Sequence, residues 1–303
     1  MSFYFCPTGT WGSFFARPPA IDPILTPMNR PELELAMTAA REAGELMLNY
    51  YEGDFTVRNK RVASAGEKSS IHLRAADYDP VTSADVEADS CLKRLLSAAN
   101  PEWGWLSEET ADSPDRLQRE TVWIVDPMDG TKEFLEGIPE FVVSIALVER
   151  GVPIVGVIYN PPTGDLFSAL RGGGTFLNGK RVFCTETAIL DLATVGVSRS
   201  EQARGEVDPF EAHVGEIKPI GSVAYKLAIV ASGATDLNIS VLHKNEWDVC
   251  AGDLLVREAG GIMTDLNGTV RTYNQSDPLI RGGIVAGNQG LAEAAVLLLS
   301  EQG

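Results

Sequence analysis

Short apolar runs separated by polar turns dominate the middle of the chain. One run covers residues 122–125. Two more cover residues 141–148 and 152–159 and are joined by a Glu-Arg-Gly linker at residues 149–151. Continuous apolar runs of this length are typical of buried strands, and a short linker that contains glycine is typical of a hairpin. The pattern therefore predicts a buried sheet in this part of the chain.

A second pair of strands is predicted over residues 166–170 and 175–182, because Asn178-Gly179 favours a type I′ turn. Gly174, Gly179 and Lys180 in this segment also match the first part, G-x-x-x-x-G-K, of the phosphate-binding P-loop motif. That motif requires Ser or Thr after its lysine, where this chain has Arg181, and it also requires a preceding strand and a following helix. The hairpin is therefore the preferred interpretation.

Apolar residues at helical spacing predict helices before and after these strands in the sequence. The first helix runs from Asn29 to Gly53, and the second opens at residues 79–85 and stops before Pro101. Later helices and short apolar strands alternate along the chain, at residues 194–197, 221–232, 237–239, 246–259, 262–264, 284–286 and 292–299. Alternation of this kind indicates an α/β arrangement for the second half.

These patterns divide the chain into three parts. Residues 1–27 are rich in aromatic residues and proline but lack the charge and apolar order of a signal peptide, so we predict an irregular N-terminal extension. Met28 as the true start of the protein is a hypothesis. Residues 28–184 are predicted to form an N-terminal α+β part that would bind metal, and residues 185–303 a C-terminal α/β part.

Composition narrows the range of partners. The chain has 303 residues, of which 44% are hydrophobic, and a net charge of −17. It can therefore bury a large core, but it is a poor partner for nucleic-acid polymers and anionic membranes. No apolar run approaches the roughly 18 residues of a membrane span. The four cysteines and three histidines show no paired motif, so we expect neither disulfides nor zinc and place the protein in the cytoplasm, with peripheral association at the inner membrane left open.

An aspartate-rich loop at residues 126–131 follows the apolar run at residues 122–125. Pro127 stiffens the support of Asp126, and Gly130 would let a ligand approach the backbone N–H groups. Two neighbouring carboxylates repel each other unless a cation or a proton intervenes, and Mg²⁺ favours carboxylates together with substrate phosphate. The loop is either a metal–phosphate site or an ordinary aspartate-rich turn, and alone it does not decide between them.

Other acids lie where further elements are predicted to begin or end, namely Asp85, Glu108 and Asp248. Each alone fits a helix cap or a solvated acid. The order of the surrounding motifs is more specific: V-T-x-A-D, S-E-E, D-P-M-D-G-T, then W-D-x-x-A-G with E-A-G-G after it. In these motifs the chain resembles the lithium-sensitive, magnesium-dependent phosphatases typified by inositol monophosphatase, over roughly residues 30–300.

This resemblance implies a layered α/β/α/β/α sandwich, the sugar-phosphatase fold, and two or three Mg²⁺ ions. The implied metal ligands are Glu108, Asp126, the Met128 carbonyl, Asp129 and Asp248, with Asp85 at a more weakly held ion. The implied catalytic residues are Asp85, Glu108 and Thr131, and among them Asp85 and Thr131 would orient the attacking water. The implied substrate-binding residues are Asp129, Gly130, Thr131, Lys132, Ser198, Arg199, Gly221, Ser222 and Asp248.

The sequence around these motifs favours one branch of the family. Residues 132–134 and 198–200 resemble the CysQ-type 3′(2′),5′-bisphosphate nucleotidases. Lys132 or Arg199 could meet a second phosphate, or they could be a surface lysine and an arginine paired with a neighbouring acid. The inositol branch carries an acid a few positions before its W-D motif, whereas residues 239–242 contain none.

The first functional hypothesis is therefore hydrolysis of 3′-phosphoadenosine 5′-phosphate to AMP and phosphate by an activated water. Inositol or sugar phosphate hydrolysis is the second hypothesis, and fructose 1,6-bisphosphate a distant third. No cysteine or Ser–His nucleophile motif is evident, which favours direct attack by water. A non-catalytic metal-binding protein is a further alternative, which the retention of every carboxylate and Thr131 disfavours.

Two further features stay open at this stage. The oligomeric state is not readable from the sequence. The polar stretch from Asn59 to Asp79 lacks periodicity, and its position just before Asp85 suggests a mobile lid over a site that takes a small phosphorylated substrate.

Overall fold

The computed structural model describes residues 30–51, 53, 56–59 and 80–301. The helices in these residues are α1 (Pro31–Tyr51), α2 (Ser83–Ala99), α3 (Thr131–Leu135), α4 (Arg199–Ala203), α5 (Asp208–Glu211), α6 (Val223–Ala231), α7 (Glu246–Glu258) and α8 (Gln289–Glu301). None of the helices within these ranges is long and apolar enough to cross a membrane. The extension at residues 1–27 and residues 60–79 of the predicted loop lie outside the described ranges.

The apolar runs in the middle of the chain form a seven-stranded sheet whose strands follow one another in chain order. A short antiparallel pair, β1 (Val57–Asn59) and β2 (Pro80–Thr82), precedes it. The strands of the sheet are β3 (Gly104–Ser107), β4 (Thr121–Asp129), β5 (Val142–Glu149), β6 (Val152–Asn160), β7 (Asp165–Leu170), β8 (Gly174–Leu177) and β9 (Lys180–Val182). Both predicted turns are confirmed, because Arg150 and Gly151 between β5 and β6, and Asn178 and Gly179 between β8 and β9, all have positive φ.

The central strand is longer than predicted. We expected it to end at Val125, but β4 continues to Asp129. Asp126 lies opposite Ser144 and Asp129 opposite Val142, so β4 carries one residue more than β5 over this interval. Pro127 has no N–H to give to the ladder, which explains an irregularity here. The bulge keeps both aspartates on a strand rather than on a free loop.

The second half of the chain builds a smaller, mixed sheet. Its strands are β10 (Thr194–Ser198), β11 (Glu216–Ile220), β12 (Leu237–Ser240), β14 (Gly261–Thr264) and β16 (Ile284–Asn288), with β13 (Lys244–Asn245) and β15 (Leu279–Ile280) paired separately. In the spatial order β11-β10-β12-β16-β14, the first three strands are parallel and β16 is antiparallel to both neighbours. Strand β11 was not predicted, because it is an edge strand whose residues are mostly not buried and which includes Pro219.

The layers form the predicted α/β/α/β/α sandwich. Helices α1 and α2 cover the outer face of the first sheet, where small residues such as Ala40 are fully buried. Helices α6 and α7 lie between the two sheets, and Leu227 and Leu255 belong to the core they share. Helix α8 covers the outer face of the second sheet with Leu291. Because β10, β11 and β12 are parallel, their carboxyl ends lie at the same edge of the second sheet, which is where open α/β sheets bind ligands.

Replacing Gly252 with Ala should destabilise the protein, although alanine is normally the better helix former by about 1 kcal/mol. Gly252 lies in α7, and a Cβ there would come within 2.5 Å of Leu227 Cβ in α6. Overpacking of a filled core costs about 1–3 kcal/mol. Urea denaturation of wild type and variant measures the difference.

Gly290→Ala is the matched control, because its Cβ would find no atom closer than 3.8 Å. This variant should be neutral or slightly more stable. If Gly252→Ala were as stable as Gly290→Ala, α6 and α7 could not pack as closely as the structure shows.

Candidate active site

The bulge in β4 leads directly into a turn that only glycine fits well. Gly130 has a φ of +106°, and a Cβ at this position would lie 2.7 Å from the carbonyl oxygen of Glu140. The turn starts α3 at Thr131. Asp126, which is 1% exposed, accepts a hydrogen bond from the Met128 N–H at 3.0 Å. The turn therefore holds a buried carboxylate next to backbone N–H groups at the start of a helix.

Glu108 lies beside Asp126 because their strands are parallel neighbours. Ser107 at the end of β3 pairs with Val125 in β4, and the Glu108 N–H donates to the Val125 carbonyl at 3.3 Å. The two side chains share a hydrogen bond. Burial, then the negative charges of Glu108, Asp129 and Asp248, raise the pKa of Asp126 well above its usual range. Several acids thus act on one buried carboxylate.

Asp248 joins this group from the C-terminal half. It lies in the first turn of α7, and its Oδ2 accepts from the Asn245 N–H at 2.7 Å. Ser144 Oγ, opposite Asp126 in the sheet, donates to the Trp247 carbonyl at 3.3 Å and ties the start of α7 to the first sheet. Burial, then the charges of Asp129 and Glu108, raise the pKa of Asp248 well above its usual range.

Asp129 is oriented by the start of α6. Its Oδ2 accepts from Ser222 Oγ at 2.7 Å and from the Ala224 N–H at 2.6 Å. Gly221 and Ser222, predicted as substrate-binding residues, therefore belong to the turn that precedes α6, and Ser222 contacts a predicted metal ligand. A carboxylate at a helix N-terminus is favoured by both the N–H groups and the helix dipole.

Asp85 and Thr131 form the pair that the resemblance implied. Thr131 Oγ donates to Asp85 Oδ1 at 2.9 Å. Asp85 Oδ2 accepts from both the N–H and the hydroxyl of Thr82, which caps α2. The hypothesis that Asp85 only occupies a first helical turn is thus incomplete, because the same carboxylate also reaches the central turn across 46 residues of sequence.

The predicted phosphate-binding side chains have different surroundings. Lys132 is exposed. Arg199 Nη1 lies 2.6 Å from Glu140 Oε2 and 3.5 Å from Glu133 Oε1, and the hydrogen bond to Glu140 raises the pKa of Arg199. Ser198 Oγ lies 2.9 Å from Ser200 Oγ. Of the two interpretations of Arg199, the structure shows pairing with neighbouring acids.

Sequence reasoning missed a buried lysine beside the carboxylates. Lys226 is 2% exposed, and its Nζ donates to the Ser222 carbonyl at 2.8 Å and to the Ile220 carbonyl at 3.2 Å. Burial lowers the pKa of Lys226 to about 8, opposed mainly by the charge of Asp129. A lysine within the otherwise apolar Val223–Ala231 helix was the available signal.

A second buried cation, Lys244, lies at the start of β13. Lys244 Nζ lies 3.2 Å from Glu201 Oε1, and Ser240 Oγ also donates to that oxygen. Glu201 and Lys244 have 1% and 9% of their side chains exposed. An acid is therefore present next to the end of β12, although it comes from α4 and not from the segment where the inositol branch carries it.

The donor set fits magnesium. Carboxylate oxygens predominate, as a small hard cation requires, and their mutual repulsion gives a cation a reason to bind. Among the residues that the structure describes, however, no group of three or more Asp, Glu, His or Cys side chains is already close enough together to hold a metal ion. The carboxylates are instead held in pairs and by backbone donors, so bound cations would have to draw them together.

Together, the layered fold and this array of carboxylates around an Asp-Gly-Thr turn define a metal-dependent phosphomonoesterase. The family model described as the Inositol monophosphatase family matches residues 28–302. The chain belongs to this family, and like its members it is a magnesium-dependent phosphoric monoester hydrolase.

Relatives of known name cover most of the chain. An inositol-1-monophosphatase of Mesorhizobium japonicum is 38% identical in an alignment 272 residues long that covers 86% of this chain and 93% of the relative. The Nus factor SuhB of Escherichia coli is 32% identical in an alignment 279 residues long that covers 90% of this chain and 97% of the relative. The crystal structure of SuhB from Bartonella henselae is similar at a TM-score of 0.74 and 32% identity, covering 88% of this chain and 98% of that one.

Lys226→Met should remove a pH dependence of stability that the wild type shows in metal-free buffer. The pKa of Lys226 falls from 10.5 to about 8 on folding, so the folded state binds fewer protons between these values. Wild-type stability should therefore rise relative to the variant as the pH increases from about 8 towards 10.5, by about 3 kcal/mol in full. Below pH 8 the difference should stay constant. Urea denaturation at pH 7, 8.5 and 10 measures it.

Lys132→Met is the control, because that lysine is exposed and its loss should leave the pH profile unchanged. The charged groups that act on Lys226 are Asp129, Glu133, Glu201 and Lys244. Parallel profiles for wild type and Lys226→Met would mean that the ammonium group is hydrated and not buried.

Proposed function

We propose that this protein hydrolyses inositol monophosphate or a closely related sugar phosphate. The observation that carries the proposal is the placement of four acids around one turn: Glu108 follows the strand beside β4, Asp126 and Asp129 lie on β4, and Asp248 lies in the first turn of α7, which Ser144 ties to the same sheet. The 38% identical relative is named as an inositol-1-monophosphatase, which supports this substrate class. The order of the two substrate hypotheses drawn from the sequence is therefore reversed.

Two or three Mg²⁺ ions would be held by this group of residues. Glu108, Asp126, Asp129 and Asp248 offer carboxylates, and Met128 offers its carbonyl. Asp85 would serve the more weakly held ion. When bound, the ions would neutralise the phosphoryl oxygens and lower the pKa of the attacking water. Phosphoryl transfer depends mainly on such charge stabilisation and on alignment of the nucleophile.

Thr131 and Asp85 would orient the attacking water. The Thr131 hydroxyl donates to Asp85 Oδ1 at 2.9 Å, with the Met128 carbonyl as a longer alternative acceptor at 3.3 Å, so a lone pair on Thr131 Oγ can accept a hydrogen bond from the water. Asp85 is itself fixed by Thr82 at the start of α2. This fixed direction favours one position for the nucleophile, which is the alignment that an in-line displacement requires.

The Gly130 and Thr131 N–H groups would bind the phosphate. They lie at the start of α3, where backbone donors are not used within the helix. The positive φ of Gly130 and its close approach to Glu140 fix the direction of this turn. The residues that anchor the phosphate thus adjoin those that hold the metal.

Hydrolysis of a bisphosphate nucleotide is the second candidate, and exposed Lys132 favours it, since this lysine could meet a second phosphate. Arg199 gives it less support, because the arginine is paired with Glu133 and Glu140. The missing acid near β12 also weighs less against inositol than the sequence suggested, since Glu201 lies there.

Asp126→Asn and Asp248→Asn should each abolish magnesium-supported phosphate release from inositol 1-phosphate. Each substitution removes a charged ligand while keeping the side-chain volume, so activity should fall by at least about 100-fold. A coupled phosphate assay at saturating substrate over a range of Mg²⁺ concentrations measures this loss.

Asp277→Asn serves as the control, because, among the described residues, the side chain of this exposed aspartate contacts only Arg281 and the Leu279 N–H, and asparagine can still accept from that N–H. Its activity should match the wild type. If Asp126→Asn kept substantial magnesium-dependent activity, the assignment of Asp126 as a metal ligand would be wrong.

A substrate panel tests the proposed specificity. Inositol 1-phosphate should be hydrolysed with a higher kcat/KM than 3′-phosphoadenosine 5′-phosphate, because only one of the two cationic side chains suggested for a second phosphate is exposed. The reverse order would restore the nucleotidase hypothesis, and no magnesium-dependent hydrolysis of any phosphomonoester would remove both.

A further inference from the structure

The turn before α6 holds a residue in a conformation that side chains rarely adopt. Ser222 has a φ of +56° and a ψ of +129°. For a residue other than glycine this backbone region is sterically unfavourable, and it persists only where the surroundings enforce it. The strain occurs at the residue whose hydroxyl contacts Asp129, so the conformation has a direct consequence for a proposed metal ligand.

The strained backbone gives Asp129 two donors on one oxygen. Ser222 Oγ and the Ala224 N–H both reach Asp129 Oδ2, at 2.7 Å and 2.6 Å. Ser222 Oγ also accepts from the Tyr225 N–H at 2.9 Å, which fixes the hydroxyl in place. The direction of the carboxylate thus depends on the path of the backbone through residues 221–224.

Lys226 holds that path from inside the helix. Its ammonium group donates to the carbonyls of Ile220 and Ser222, one on each side of Gly221. A buried ammonium group needs such acceptors because it has lost its water. The Gly221 N–H donates to Glu140 Oε2 at 2.6 Å. Charged side chains from two parts of the chain, Lys226 in α6 and Glu140 before β5, therefore hold the turn.

We propose that Lys226 is a positioning residue for the metal site: it holds Ser222 in its strained conformation so that the turn before α6 aims two donors at Asp129. This inference rests on the proposed function, because it takes Asp129 as a magnesium ligand. Residues that orient the ligands of a metal typically affect its affinity by 10- to 100-fold.

Positioning and simple electrostatics make opposite predictions for this lysine. The ammonium group acts electrostatically on Asp129, Glu133, Glu201 and Lys244. If it acted only as a positive charge near Asp129, its removal would strengthen the attraction for Mg²⁺. If it positions the turn, its removal lets Ser222 relax, and Mg²⁺ binding weakens.

Calorimetric titration of substrate-free protein with Mg²⁺ tests the proposal. Lys226→Met should raise the dissociation constant by about 10-fold or more. Lys226→Gln, which keeps an N–H donor but no charge, should lie between Met and wild type. Val230→Ala is the matched control, since Val230 is fully buried in the same helix and away from the turn. It should lower stability and leave the dissociation constant unchanged.

Unchanged or tighter Mg²⁺ binding in Lys226→Met would overturn the inference. If Lys226→Met failed to fold, Lys226→Gln would provide the test, because unchanged or tighter Mg²⁺ binding in that variant would also overturn the inference. A loss of Mg²⁺ affinity in Val230→Ala equal to that in Lys226→Met would show a general effect of destabilisation. If the wild type bound no Mg²⁺, the proposed function itself would fail, and that result is distinct from the others.

Discussion

Repulsion between the buried carboxylate of Asp126 and the acids around it is the constraint on which the site depends. Asp126 has almost no exposed surface and feels the charges of Glu108, Asp129 and Asp248. Burying an unpaired charge is costly, and neighbouring charges of the same sign raise that cost. In the described residues, hydrogen bonds to Asp126 from the Met128 N–H and with Glu108 offset part of this cost. A divalent cation would answer it better and would supply the chemistry that the family performs.

The fold explains how acids so distant in sequence meet. Parallel pairing of β3 and β4 puts Glu108 beside Asp126. The bulge in β4 turns Asp129 towards α6, and the contact between Ser144 and the backbone of Trp247 brings the start of α7 to the same place. Helices α6 and α7 lie between the sheets and serve as both core and support. The packing that stabilises the fold therefore also determines the site.

Much of this was predictable because the signals are local. Apolar runs and Asn178-Gly179 predicted the strands and turns of the first sheet, and motif order predicted the layered fold and the family. Other features depend on tertiary contacts that leave no local pattern. Edge strand β11 is too polar to be read as a strand, and the partners of Arg199 come from residues 66 and 59 positions earlier in the chain. Lys226 was visible as a lysine in an apolar helix, but its acceptors in a strained turn were not.

Anomalous X-ray diffraction from crystals of the protein soaked in Mn²⁺, which replaces Mg²⁺ at oxygen sites, tests the central claim most directly. The account predicts a strong anomalous peak at coordination distance from Asp126 and Asp248, with Glu108 drawn out of its hydrogen bond with Asp126. This claim would be contradicted if, at saturating Mn²⁺, the anomalous peaks lay elsewhere or were absent while Glu108 and Asp126 remained hydrogen-bonded to each other.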